Sequence, residues 1–102
     1  MTQLNPFFRD ATFTLVPVLT DDQLESIGDG LAVLHPSVLI RRLTERTALV
    51  QGIPIRALTP HGADASTWER LSEIIRGALR DAEDDVTRIA SIDVRNTHGA
   101  LS

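Results

Sequence analysis

From Ala11 to Leu19 the chain reads ATFTLVPVL, with Phe13 and Leu15 set against Thr12 and Thr14. A period of two belongs to a strand with one buried face, so this segment is the first predicted strand. TDDQLESIGDGLAVL follows, with Thr20 and Gln23 at capping-box spacing and Asp21 and Asp22 where the helix dipole is positive. Leu24, Ile27, Leu31 and Leu34 recur at helical spacing, which predicts an amphipathic helix weakened by Gly28 and Gly30 and ended near His35 and Pro36. Two β-type runs, SVLIRRL and TALVQGIPIRAL, flank the polar TER and predict a hairpin. A second helix is predicted over STWERLSEIIRGALRDA, opened by a Ser66/Glu69 capping box and carrying a stripe of Trp68, Leu71, Ile75, Ala78, Leu79 and Ala82. On its solvent face Glu73 with Arg76, and Arg80 with Asp84, have the spacing of weak charge pairs. VTRIASIDVRN sets Val86, Ala90, Ile92 and Val94 against Thr87, Ser91, Asp93 and Arg95, the pattern of a closing strand with one wet side.

Strand, helix, strand, strand, helix, strand is the order of the split βαβ arrangement. The predicted fold is therefore α+β: a ferredoxin-like βαββαβ sandwich with a four-stranded antiparallel sheet and both helices on one face. LVPVLT in the first strand and GIPIRALT in the third echo each other, as the two halves of such a fold would. Pro54 is awkward, because the third strand is central and a proline has no N–H to give its ladder. Gly52 can adopt the backbone angles of a bulge, so a kink is expected there; the alternative makes QGIP a turn between two shorter strands. Residues 1–10 read as an N-terminal arm, 11–96 as one domain and 97–102 as a tail.

Composition narrows the function. A chain of 102 residues holds one modest core. Fourteen acidic against ten basic side chains give a net charge of −4, which lacks the basic footprint of a nucleic-acid binder. With no cysteine there is neither a disulfide framework nor a thiolate metal site. The segment MTQLNPFFRDATF has no signal-peptide pattern and no apolar run is long enough to cross a bilayer, so the expectation is a cytoplasmic protein. All ten basic residues are arginine, a bias that points to a GC-rich bacterial genome or a virus of such a host.

Candidate chemistry is sparse. His35, His61 and His98 fall at a helix end, in a connection and in the tail; the nearest approach to a ligand pair is His61 with Asp64, and no metal or cofactor is assigned. The TPHGADA segment presents the free N–H groups of a helix start, where anions bind. It defines the alternative function, a small-ligand-binding domain or enzyme using the 59–66 loop with His61, Asp64 and Ser66 as contacts. Gly62 stands without a glycine-rich phosphate cradle, and no nucleophile elbow occurs, so the leading reading is not an enzyme. The acidic run DAEDD reads as a solvated helix terminus, or as a complement to Arg41, Arg42 and Arg46 of a second copy. RNA-recognition modules of this topology stack bases on aromatics of the central strands, but Thr12, Thr14, Val16 and Val18 offer none.

If Phe13 and Leu15 face the helices, Val16, Val18 and Ile89 fall on the opposite face among threonines and serines, a surface apolar enough to call for cover by a partner. The leading reading is thus a non-catalytic protein-interaction or oligomerisation module, a homodimer through the open sheet face. Its contacts are Phe7, Phe8, Thr14, Val16, Val18, Ile89, Arg41 and Arg42, with Phe7 and Phe8 either closing one end of the core or anchoring on the partner. The LTDDQLESI helix opening after a threonine-rich strand, the closing RIASIDV and the arginine-only composition resemble small ferredoxin-like αβ proteins of actinobacteria and actinobacteriophages. The resemblance spans Thr12 to Arg95 and implies an accessory role on a host protein, without site residues.

Overall fold

A computed structural model describes residues 4–96 and places six elements in order. These are β1 (Asn5–Val16), α1 (Asp21–Leu34), β2 (Leu39–Arg42), β3 (Thr47–Ala57), α2 (Pro60–Asp81) and β4 (Arg88–Asn96). The strands form one antiparallel sheet in the order β2-β3-β1-β4, the ferredoxin-like α+β arrangement that the alternation of patterns implies. The tail 97–102, with His98, lies outside the described residues.

One face of the sheet and the inner stripes of both helices make the core. β1 contributes Ala11, Phe13 and Leu15, β3 contributes Val50, Ile53 and Ile55, α1 contributes Ile27 and Leu31, and α2 contributes Leu71, Ile75 and Leu79. Each large side chain among them gains roughly 1.5–3 kcal/mol by leaving water, which fixes the side on which the helices pack. β1 begins at Asn5, so most of the segment read as an arm is strand; Pro6 and the charged Arg9-Asp10 pair break the apolar alternation there.

Two bulges set which residues face the helices. Arg9 lies opposite Ile53 but Ala11 opposite Val50, so Gln51 and Gly52 share Asp10 across the ladder. Gly52 has φ of 76°, in the left-handed region that favours glycine, and its N–H donates to Asp10 Oδ1 at 3.0 Å. The kink expected near Gly52 is present, and β3 runs through it as one strand rather than turning. Inserting a residue reverses parity, which is why Ala48 and Val50 before the bulge and Ile53 and Ile55 after it are all buried. β2 ends opposite Gln51, so beyond Gly52 β3 has a described strand on one side, the setting that accommodates Pro54. In the second bulge Thr14 faces Ser91 but Leu15 faces Ile89, leaving Ala90 as the extra residue.

Helix starts follow the Leu-Thr pairs of the internal echo. Thr20 caps α1 with its full capping box, accepting from Gln23 N–H while Gln23 Oε1 accepts from Thr20 N–H. Thr59 caps α2, accepting from Gly62 N–H at 3.0 Å, with Pro60 in the first turn. The second helix therefore starts about six residues before the Ser66/Glu69 signal, and its inner stripe is Ala63, Thr67, Leu71, Ile75 and Leu79; Trp68 is 45% exposed. Glu83, with φ of 56°, ends α2 in a Schellman arrangement: Asp84 N–H donates to Leu79 O and Glu83 N–H to Arg80 O. Asp84 is thereby drawn into the turn, not into a pair with Arg80.

Candidate functional site: the helix-free sheet face

Both helices lie on the same side of the sheet, so the opposite side carries no described element. Its residues follow from strand parity and register. One row runs across all four strands as Arg41, Leu49, Thr12 and Asp93, each opposite the next. The neighbouring row is Leu39, Gln51, Asp10 and Arg95, with the Gly52 bulge between Gln51 and Asp10. On the other side Thr47, Thr14 and Ser91 align, and Thr14 and Thr47 share a hydroxyl hydrogen bond at 3.0 Å. Phe8 pairs with Pro54 near the end of the sheet. The face is amphipathic: Leu39 with Leu49 and Phe8 with Pro54 make two apolar islands, separated by threonine, glutamine and charge.

The residues expected to bind a partner divide. Phe8, Thr14, Val16 and Arg41 stand on the helix-free face, and Phe8 is 50% exposed there. Phe7 points the other way and packs against the core, closing one end of it. Val18 lies past the end of β1, in the connection entered through a cis Val16–Pro17 bond. Ile89 is a correction: the Ala90 bulge moves it opposite Leu15, where it packs against the core on the helix side. Arg42 is another, since its partner Ala48 is buried and its guanidinium donates to Leu19 O at 2.6 Å and to Asp21 Oδ1 at 3.0 Å. Arg46 likewise donates to Pro17 O at 2.9 Å, so the hairpin offers Arg41, not a cluster of three, to an acidic partner. Leu39, 64% exposed, and Leu49 are the hairpin residues of the parity that falls on this face, and Asp93 joins them from β4, where the alternation of RIASIDV holds the signal.

The alternative site changes character. Residues 60–66 are the first turns of α2, not a loop, because Thr59-Pro60 starts the helix. At 100° per residue Ser66 lies about 140° around the helix from His61, so the three contacts do not converge on one ligand. Asp64 is engaged: Arg9, only 3% exposed on the helix side of β1, donates from Nε to its Oδ1 at 2.6 Å. Arg9 also donates to Phe8 O and Pro60 O and sits 5.1 Å from the centre of the Phe7 ring, tying α2 to the sheet.

The acidic run after α2 holds a second tie. Asp84 accepts from the Thr87 hydroxyl, from the N–H groups of Thr87 and Val86, and from Gln23 Nε2. These bonds, led by the Thr87 hydroxyl, bring its carboxyl down from 3.8 to about 2. The same Gln23 that caps α1 thus fastens the start of β4.

Among the described residues no group of three histidines or carboxylates could hold a metal ion, and no helix is long and apolar enough to cross a membrane. Fold and site together define a small ferredoxin-like α+β domain whose distinguishing surface is a helix-free, amphipathic sheet face. Comparison with protein-family models, with curated proteins and with solved structures finds no match.

Proposed function

We propose that this chain is a non-catalytic protein-interaction module that self-associates through the helix-free face of its sheet. The observation that carries the reading is the exposure of Leu39 and Phe8, 64% and 50%, on a face that no described part of the chain covers. Removing such side chains from water is worth roughly 1.5–3 kcal/mol apiece when complete, and their islands flank polar rows that a second polar surface can satisfy. The resemblance to small ferredoxin-like proteins of actinobacteria and their phages supports an accessory factor that works on a host protein in the cytoplasm. The ligand-binding alternative has lost its loop, and Asp64 has a structural partner in Arg9.

The test is sedimentation equilibrium on the wild-type chain and on Leu39→Arg and Phe8→Asp. Wild type is expected to form a dimer, and each substitution to shift the mass toward the monomer while the helical circular dichroism is kept. A mass that neither substitution changes overturns the proposal.

A further inference from the structure

The row that crosses the whole sheet has opposite charges at its two ends. Arg41 on β2 stands opposite Leu49, Leu49 opposite Thr12, and Thr12 opposite Asp93 on β4. Both end residues are exposed, and neither has a hydrogen-bond or ion-pair partner among the described residues. They cannot meet within one chain: with strands about 4.8 Å apart, β2 and β4 are separated by roughly 14 Å.

We infer that the occupant of the helix-free face is a second copy of this chain, related by a two-fold axis that runs along the strands between β1 and β3, with Arg41 of each copy over Asp93 of the other. This rests on the self-association reading and adds its geometry. Rotation about such an axis reverses strand order and keeps the level along the strands. Arg41 then falls over Asp93 twice, and Leu49 over Thr12 twice, in one isologous contact. The same operation lays Pro54 over Phe8, Thr47 over Thr14, and Leu39 over the aliphatic stem of Arg95. A two-fold axis across the strands at the level of this row would instead lay Arg41 on Arg41 and Asp93 on Asp93, so charge selects between the two stackings.

Geometry and area agree with this choice. Packed sheets cross at about 30°, which displaces β2 over β4 by roughly 4 Å along the strand, within reach of an arginine side chain. Strands of the observed lengths at ordinary spacings give a face of roughly 600 Å² per copy, hence about 1,200 Å² in total, at the lower end of specific interfaces.

Charge exchange tests the arrangement. In Arg41→Asp, and separately in Asp93→Arg, both symmetry-related pairs become like-charged, and dimerisation should weaken by at least about tenfold. Mixing the two variants restores both opposite pairs in a heterodimer, which should form with an affinity within about threefold of the wild-type dimer and weaken in 1 M salt. Sedimentation velocity with one chain fluorescently labelled reads the species, and circular dichroism melting confirms that each variant is folded. Loss in the single variants with recovery in the mixture supports the two-fold arrangement. A wild-type dimer that Leu39→Arg or Phe8→Asp dissociates, yet whose affinity the charge exchanges leave unchanged, overturns this arrangement and spares the reading beneath it. Single-variant losses that mixing fails to repair also overturn it. A wild-type chain that stays monomeric near 1 mM overturns both.

Discussion

Arg9→Met is expected to destabilise the fold by about 1–2 kcal/mol, and Arg9→Ala by about 3–4 kcal/mol. The difference comes from burial. Arg9 is 3% exposed, so its aliphatic stem belongs to the core, and removing about two methylenes at roughly 0.8 kcal/mol each accounts for most of the extra loss in alanine. Methionine keeps that stem and forfeits the polar contacts: the 2.6 Å bond to Asp64, the carbonyls of Phe8 and Pro60, and the Phe7 ring. A charge-assisted bond of this kind contributes about 1.5–3 kcal/mol where both partners are dry. Here the Asp64 side chain is 48% exposed, so a released carboxylate takes up water, and the loss is discounted to the lower part of that range. In a double-mutant cycle of Arg9→Met with Asp64→Ala, followed by urea unfolding at pH 7, the coupling should be about 1–2 kcal/mol with unchanged denaturant slopes. A coupling below about 0.3 kcal/mol refutes the ion pair as a tie between β1 and α2. It would return Asp64 to candidacy as a ligand contact.

Backbone and pH give further expectations. Glu83 holds a left-handed conformation at the end of α2, so Glu83→Gly should raise stability by about 0.5–1 kcal/mol, whereas Gly52→Ala, which forces a side chain onto φ of 76°, should lower it by about 1–2 kcal/mol; shifts of the urea midpoint in these two directions are the check. Asp84 titrates near 2 when folded and has an ordinary value of 3.8, so its stabilisation is present above about pH 4 and is lost as pH falls toward 2. Asp84→Asn should therefore flatten the acid limb of the stability profile between pH 2 and 5, and an unaltered limb counts against the Gln23–Asp84–Thr87 connection.

The sequence shows the fold where a local pattern and the tertiary partner agree. Phe13 and Leu15 alternate with threonines and are buried as that alternation demands; Thr20 and Gln23 form the capping box that their spacing announces. It misleads where two local signals compete. Ser66 and Glu69 mimic a helix start inside α2, while the true cap, Thr59, carries the quieter Thr-Pro signal. The LVPVLT and GIPIRALT echo marks both caps, since each ends in the threonine that opens a helix. The candidate face is legible only to the extent that parity is unbroken. Along β1 the assignment of Thr12, Thr14 and Val16 holds; in β4 the extra Ala90 turns Ile89 inward, and alternation contains no sign of a residue that drops out of the ladder. Arg42 is a different failure, because a guanidinium at the end of a strand reads as surface until the carbonyl of Leu19 is seen beside it.

The edges of the sheet bear on why the proposed association would use its face. A strand edge recruits another strand when it is long, flat and fully supplied with donors and acceptors. β2, one outer strand, is four residues long. Where it stops, the bared side of β3 begins with the Gly52 bulge and then Pro54, which has no N–H to donate. β4, the other outer strand, carries the Ala90 bulge and charged residues at Arg88, Asp93 and Arg95. Each device discourages growth by strand addition, and none of them obstructs a flat approach to the helix-free side. The row Arg41, Leu49, Thr12 and Asp93 lies between the two bulges in regular pairing, and the Gly52 bulge lets that row face away from the helices while Ile53 and Ile55 beyond it stay buried. The Gly52 bulge thus both blunts an edge and orders the face, which is the physical reason to look for the proposed association across the sheet rather than beside it.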